Sequence, residues 1–211
     1  MRAHLAEFIG AFALVFAGCG AIAVGSLSAG GVALVFGLVI AAMVYGLGPI
    51  SGAHFNPAVS IGFAIGGHVA WTRVATYAIA QVAGATAGSA LLRITLGDVP
   101  LGVTRPAVAI TTALAWEIVF TALLMLVITA VATDTRAVGQ AAALAIGGTV
   151  ALGSLVAGPI SGASLNPARS IGPAIVSGDL ADLWVYLVGP VAGAVIGALA
   201  YRYLRGARLT A

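Results

Sequence analysis

Two segments of the chain carry the same polar turn, whose side chains could hydrogen-bond a small polar molecule. Residues 48–62 and 158–172, which lie 110 positions apart, are identical at 12 of 15 positions. Each segment contains Ser-Gly-Ala, two further residues and then Asn-Pro-Ala. The six Asn-Pro-Ala residues are Asn56, Pro57, Ala58, Asn166, Pro167 and Ala168. Because Asn is a preferred helix N-cap and Pro fits the first helical position, each segment predicts a helix that begins after Asn.

The capping geometry gives each Asn a defined chemical role. The carboxamide oxygen accepts from the helix, which leaves the NH₂ group as a fixed, neutral donor that faces outward. Asp would add a negative charge at this position, and Ser would offer only a rotating hydroxyl. The non-helical residues before each Asn are predicted to leave their carbonyls free, so that these can face any path that runs between the two turns; they are Gly52, Ala53, His54, Gly162, Ala163 and Ser164.

The segments around these turns are strongly apolar. The 211 residues are 61% hydrophobic and 7% charged, with a mean hydropathy of +1.13, whereas soluble domains are about a quarter charged. Since about 20 apolar residues cross a bilayer, we predict six crossings, at residues 5–24, 31–48, 71–92, 109–132, 138–157 and 184–203. The helices after the Asn-Pro pairs, ending near Ile65 and Val176, are too short to cross. The predicted fold is an all-α integral membrane protein with six transmembrane helices and two re-entrant half-helices.

The repeat extends beyond the two turns, because Glu7 and Glu117 are also 110 residues apart. We predict one domain, residues 1–211, made of repeats 1–93 and 109–205. They are joined by residues 94–108 (the connector), whose Gly and Pro residues are typical of an exposed turn. Three crossings per repeat mean that the second repeat enters from the opposite side, so the half-helices meet at mid-membrane. Irregular backbone at that depth is tolerated where it lines a water-filled path.

The paired glutamates, Glu7 and Glu117, lie where a membrane helix normally excludes charge, so each needs a partner. One interpretation is that they coordinate a travelling ion or proton. The interpretation that we favour is structural: each carboxylate braces a re-entrant loop by accepting its free backbone N–H groups. One glutamate and one loop in each repeat agree with this pairing.

The charge pattern excludes some functions and indicates an orientation. The net charge is +3, but the cations form no cluster, so no nucleic-acid partner is predicted. A single cysteine, Cys19, excludes an internal disulfide and a multi-thiolate metal site, and no metal or cofactor is predicted. Arginines are enriched on one side of the predicted topology, which places both termini in the cytoplasm and the chain in the cell membrane. These arginines are Arg2, Arg73, Arg136, Arg202, Arg205 and Arg208, against Arg93 and Arg105 on the other side.

Two helix N-termini that meet at mid-membrane would repel cations and protons, since each carries about half a positive charge. Arg169, three residues after Asn166, adds one cation within an apolar run. The first copy has Val59 at the matching position, so this charge belongs to one mouth of the pore. A structural role, in which Arg169 ties loop carbonyls together, is the alternative.

The chain resembles the major intrinsic protein family, the aquaporins and aquaglyceroporins, over nearly its whole length. The duplicated motif, Arg169 and the glutamate pair carry this resemblance. The resemblance implies a right-handed six-helix bundle, one pore per subunit and a homotetramer. It also implies an outer selectivity filter, whose residues would be Phe36, Ser154, Ala163 and Arg169.

Strict water channels of that family usually carry His at the Ser154 position, and glycerol facilitators usually have Asp where this chain has Ser170. This mixture is similar to that of the nodulin-like plant group and of bacterial relatives that pass water with small neutral solutes. We therefore predict a passive channel in the lipid bilayer for water and small uncharged solutes that excludes ions and protons.

Several alternatives remain. One is a facilitator of glycerol or neutral metalloid hydroxides with water as a minor permeant. Others are a coupled secondary transporter, which also uses inverted repeats and broken helices, and an adhesive protein with a closed pore. An enzyme is not predicted, because no Ser/His or metal-ligand constellation accompanies the motifs.

Overall fold

The computed structural model describes residues 1–134 and 139–206, so Arg136 and Arg208 lie outside the described residues. Six of the helices within these ranges are long and apolar enough to cross a membrane. They are α1 (Arg2–Ala23), α2 (Ala29–Ser51), α4 (Trp71–Leu96), α5 (Ile110–Thr133), α6 (Ala142–Ser161) and α8 (Leu183–Arg205). The helices α3 (Pro57–Ile65) and α7 (Pro167–Ser177) are half-helices of nine and 11 residues, about half the length that a bilayer requires. The predicted all-α fold is confirmed.

The ends of α2 and α6 differ from the prediction. Crossings were expected to end at residues 48 and 157, but both helices continue through an internal proline to Ser51 and Ser161. The stop signal is the following glycine, Gly52 or Gly162, which adopts a left-handed φ of 85° or 86° and donates its N–H back to the helix. Both predicted ends lie where the repeated segments begin, whereas each helix continues into its segment as far as the serine. The start of α6 at Ala142 is likewise later than the predicted residue 138.

Small residues let the crossing helices approach closely. The most extensive contacts join α5 with α8, α1 with α4, and α2 with α6. A Cβ added at Gly84 of α4 would collide with the backbone of α1 at Phe8, and one at Gly193 of α8 would collide with α5 at Ile118. These glycines occupy matching positions in the two halves, as expected for small residues in membrane helix packing.

The connector is more buried than predicted. Its first three residues extend α4 to Leu96, and the chain then folds back onto the bundle. Leu101 is 1% exposed and Thr104 is 4% exposed. A Cβ added at Gly102, whose φ is 69°, would lie 3.0 Å from the Cβ of Cys19. The prediction of an exposed connector was wrong for these residues, because turn-forming residues indicate bends and not exposure.

The bundle has two distinct faces. α1 begins and α8 ends at one of them (the terminal face), where His4 contacts Thr76 and Arg205 pairs with Asp134. The connector lies at the opposite face (the connector face). α3 runs from Asn56 to the terminal face, and α7 runs from Asn166 to the connector face, so the N-termini of the half-helices point at each other.

Candidate functional site

The two half-helix N-termini are capped and cross-linked by the motif asparagines. Asn56 Oδ1 accepts from Ala58 N at 2.9 Å, and Asn166 Oδ1 accepts from Ala168 N at 3.0 Å. Asn56 Nδ2 donates to the carbonyl of Leu165 at 2.7 Å, and Asn166 Nδ2 donates to the carbonyl of Phe55 at 2.9 Å. One hydrogen of each NH₂ group is thus committed to the opposite loop, and the second hydrogen remains for a ligand.

The other residues of the motifs make the caps compact. Pro57 and Pro167 occupy the first position of their half-helices. Ala58 and Ala168 are fully buried, which leaves no room for a larger side chain beneath either cap. Both half-helices therefore begin close to the centre of the bundle.

The loops before the caps hold an unusual backbone conformation. Ala53, Phe55, Ala163 and Leu165 have φ between 43° and 53°, a left-handed region that costs a residue with a Cβ free energy. The same alternation occurs in both copies. Other interactions must therefore stabilise this backbone conformation.

Two buried carboxylates accept hydrogen bonds from the backbone of the loops. Glu7 accepts from the backbone N–H groups of His54 at 3.0 Å and Phe55 at 2.6 Å. Glu117 accepts from those of Ser164 at 2.9 Å and Leu165 at 2.8 Å. Each carboxylate also accepts from the serine that ends the preceding helix, Ser51 or Ser161. Because both oxygens of each glutamate receive a backbone N–H, the arrangement fits an ionised carboxylate.

Tyrosine and glutamine side chains that sequence reasoning missed complete this support. Tyr77 and Tyr186 donate to the carbonyls of Ser51 and Ser161 at 2.9 and 2.6 Å. The two tyrosines are 109 residues apart, so the repeat could have revealed them. Gln81 Nε2 donates to Glu7 at 2.7 Å. It has Pro190 at the matching position of the second half, so no repeat signal pointed to it.

A cavity of about 270 Å³ runs between the two loops. Phe36, Ser154, Ala163 and Arg169, which the family resemblance assigns to a filter, all line it, as do both motif asparagines. Arg169 is 3% exposed and donates through Nη1 to the carbonyl of Gly102 at 2.6 Å. Its guanidinium carbon lies 5.2 Å from the ring centre of Phe36, within range of a cation–π contact.

Most of the predicted pore carbonyls belong to residues that line this cavity. They are Gly52, Ala53, His54, Ala163 and Ser164. Gly162 is not among the described residues that line it, because it packs against the connector: a Cβ there would lie 3.4 Å from Arg105 N.

A second cavity, of about 490 Å³, lies at the terminal face and shares Gly52, His54 and Phe63 with the first. His68 and Arg73 also line it. Partial burial and the nearby Arg205 lower the pKa of His68. The shared residues connect the centre of the bundle to the terminal face.

Six crossings that enclose two opposed half-helices, with a cavity between their caps, define a membrane channel and not an enzyme. The family model for Major intrinsic protein matches residues 1–201, and the chain belongs to this family, as the sequence resemblance predicted.

Known members of the family resemble the chain over most of its length. It is 52% identical over 207 residues to Aquaporin NIP1-4 of Oryza sativa subsp. japonica, covering 95% of this chain and 76% of that protein. It is 47% identical to Aquaporin NIP3-1 of Arabidopsis thaliana, covering 97% of this chain and 68% of that protein. The solved aquaglyceroporin from Plasmodium falciparum superposes with a TM-score of 0.82 and 28% identity, covering 95% of this chain and 94% of that one.

Proposed function

We propose that the chain is a passive channel for water and small uncharged solutes. The observation that carries the proposal is the cavity at the meeting point of the two Asn-capped half-helices. It is lined by Asn56 and Asn166, whose side chains offer neutral donors, and by five of the six residues whose carbonyls are proposed to face it. A permeant that loses its hydration shell there exchanges water hydrogen bonds for bonds to these groups.

The charges around the cavity favour neutral permeants. The N-termini of α3 and α7 each contribute about half a positive charge, and Arg169 adds a full one. Glu7 and Glu117 are not among the described residues that line the cavity, and their oxygens accept from loop N–H groups. A cation in the cavity would therefore lie near these positive charges and would have no direct contact with either carboxylate. This supports the bracing role of the glutamates and weighs against ion-coupled transport.

Phe36, Ser154, Ala163 and Arg169 are proposed to form the selectivity filter. The small side chains of Ser154 and Ala163 leave more width than the histidine usual in strict water channels. The similarity to a solved protein named as an aquaglyceroporin supports solutes larger than water as permeants. We therefore include glycerol and neutral metalloid hydroxides among the proposed permeants.

The arginine distribution supports an orientation in the cell membrane with the terminal face in the cytoplasm. Described arginines near that face outnumber those near the connector face. They are Arg2, Arg73, Arg202 and Arg205, against Arg93 and Arg105. The apolar residues that point outwards from the bundle suit contact with lipid or with further copies of the chain. By resemblance to the family, we propose that four copies of the chain form a homotetramer. Within each subunit, residues 1–93 and 109–205 are proposed to form the two inverted repeats.

Stopped-flow light scattering on proteoliposomes tests the proposal. We expect the protein to raise the permeability to water, glycerol and a neutral metalloid hydroxide above that of empty vesicles. Fluxes equal to those of empty vesicles would contradict the channel, and a dependence on a sodium or proton gradient would favour the secondary transporter. Asp98→Asn, which changes an exposed carboxylate at the connector face, serves as a control with unchanged flux.

A further inference from the structure

A chain of buried hydroxyls joins the connector to the second Asn-Pro loop. Thr104 Oγ1 lies 2.8 Å from Ser170 Oγ, which lies 2.6 Å from Ser164 Oγ. Ser164 Oγ in turn donates to the carbonyl of Asn166 at 2.8 Å. All three hydroxyl residues are buried, and Ser170 is fully inaccessible. The connector is thus hydrogen-bonded into the loop that precedes α7.

The first half satisfies the matching serine in another way. Ser60, which corresponds to Ser170, receives a hydrogen bond from Gln81 of α4 at 3.2 Å and contacts His54 Nδ1 at 2.9 Å. In the second half, Pro190 of α8 replaces the glutamine and offers no side-chain donor. Thr104 supplies the partner that α8 lacks. A crossing helix therefore supports one loop, whereas the connector supports the other.

This difference bears directly on Arg169. Its Nη1 donates to the carbonyl of Gly102, two residues before Thr104, and its Nε has no partner among the described residues. The hydrogen bond that holds the guanidinium beside the cavity thus comes from the connector, in addition to the contact with Phe36. We propose that Thr104 is a positioning residue, which holds the connector against Ser170 and thereby fixes Arg169 in the filter. The effect on permeation rests on the proposed channel function.

The buried Leu101 also anchors the connector beside Gly102, but the other polar contacts of the connector are weaker candidates for this role. Arg105 pairs with Asp179, but its side chain is 70% exposed, and exposed ion pairs are weakened by water and salt. The backbone bond from Ala107 N to the carbonyl of Ile160, at 2.9 Å, anchors the end of the connector that adjoins α5. The Thr104–Ser170 bond is buried and lies nearest to Gly102.

Paired flux measurements on variants test the proposal. Thr104→Val keeps the shape and removes the hydroxyl, and we expect the glycerol-to-water permeability ratio to rise about fivefold, since one buried hydrogen bond is lost. Ser170→Ala breaks the same bond from its other end and should raise the ratio too. Thr104→Ser should restore the wild-type ratio. Arg105→Gln, a change in the exposed contact, should leave the ratio within about twofold.

Cys19 provides a second readout that needs no flux. It is the only cysteine of the chain, it is 0% exposed, and Gly102 covers it. If Thr104 holds the connector down, Thr104→Val in detergent should react with a maleimide dye faster than the wild type and Thr104→Ser. The Cys19→Ala variant gives the background of the assay.

The two readouts separate the possible failures. Suppose that the wild type conducts and that Thr104→Val and Ser170→Ala both keep its permeability ratio and its rate of Cys19 labelling. This result would overturn the role of Thr104 and leave the channel function intact. Faster labelling without a change in the ratio would also overturn it, because the connector would then move without affecting Arg169. A wild-type protein without flux would contradict the channel function and, with it, any role of Thr104 in permeation.

Discussion

Replacing Glu117 by Gln would test whether an ionised carboxylate holds the second loop. One oxygen of Glu117 accepts from Ser161 Oγ and Ser164 N, and the other accepts from Leu165 N. An amide has a single acceptor oxygen. In either orientation of the substituted amide side chain, the N–H of Ser164 or of Leu165 therefore faces an NH₂ group and loses its acceptor.

The expected loss of stability follows from this count. A hydrogen bond to a charged group contributes about 1.5–3 kcal/mol, and a buried N–H without an acceptor costs about 1–3 kcal/mol. Since Glu117 is 0% exposed, no solvent replaces the missing acceptor. We expect Glu117→Gln to lower the free energy of unfolding by about 3 kcal/mol.

Unfolding by SDS in mixed detergent micelles, followed by circular dichroism, measures this loss. Asp98→Asn is the matched control, because it makes the same carboxylate-to-amide change on a side chain that is 99% exposed and should leave the midpoint in place. A Glu117→Gln midpoint equal to that of the wild type would refute the reasoning. It would mean that the side chain at this position accepts hydrogen bonds as a neutral group and that charge is not needed to hold the loop.

Three further predictions concern the connector face. Arg169→Ala should raise glycerol and urea permeability relative to water in proteoliposomes, and unchanged selectivity would remove Arg169 from the filter. Ser154→His should suppress glycerol more than water, whereas equal losses would mean that the filter is placed wrongly. The hydrogen bond from Arg105 lowers the pKa of Asp179. The pair therefore stabilises the folded state at pH values above the ordinary pKa of Asp. This stabilisation is lost as the pH falls through the lowered pKa. A carbon-13 NMR titration of the Asp179 carboxyl group should show the lowered pKa. Arg105→Gln should raise this pKa, and an equal pKa in the variant and the wild type would contradict the pairing.

Local signals predicted the centre of the fold well. The first half-helix was predicted from Pro57 to Ile65 and has these bounds, because an Asn cap followed by Pro fixes a helix start regardless of its surroundings. The ends of α2 and α6 were placed too early, since the first residues of each repeated segment were assigned to the loop and not to the helix. The start or end of a helix can thus be predicted from the sequence where a single residue determines the backbone geometry.

Long-range contacts were predictable only where the repeat marked them. Glu7 and Glu117 were found through their common offset, and Tyr77 and Tyr186 carry an equally regular one. Thr104 could not be found, because it occurs once and meets Ser170 across 66 residues of sequence. Its burial depends on how the connector folds, which no pattern of turn residues specifies.

The reciprocal bonds between Asn56 and the Leu165 carbonyl, and between Asn166 and the Phe55 carbonyl, also bear on how the protein is made. Because synthesis runs from the N-terminus, the first loop leaves the ribosome before residue 165 does, so its amide and carbonyl cannot yet be paired in this way. The centre of the bundle closes only when the second half has been inserted. Maturation of the pore is therefore a late event that depends on both halves of the polypeptide.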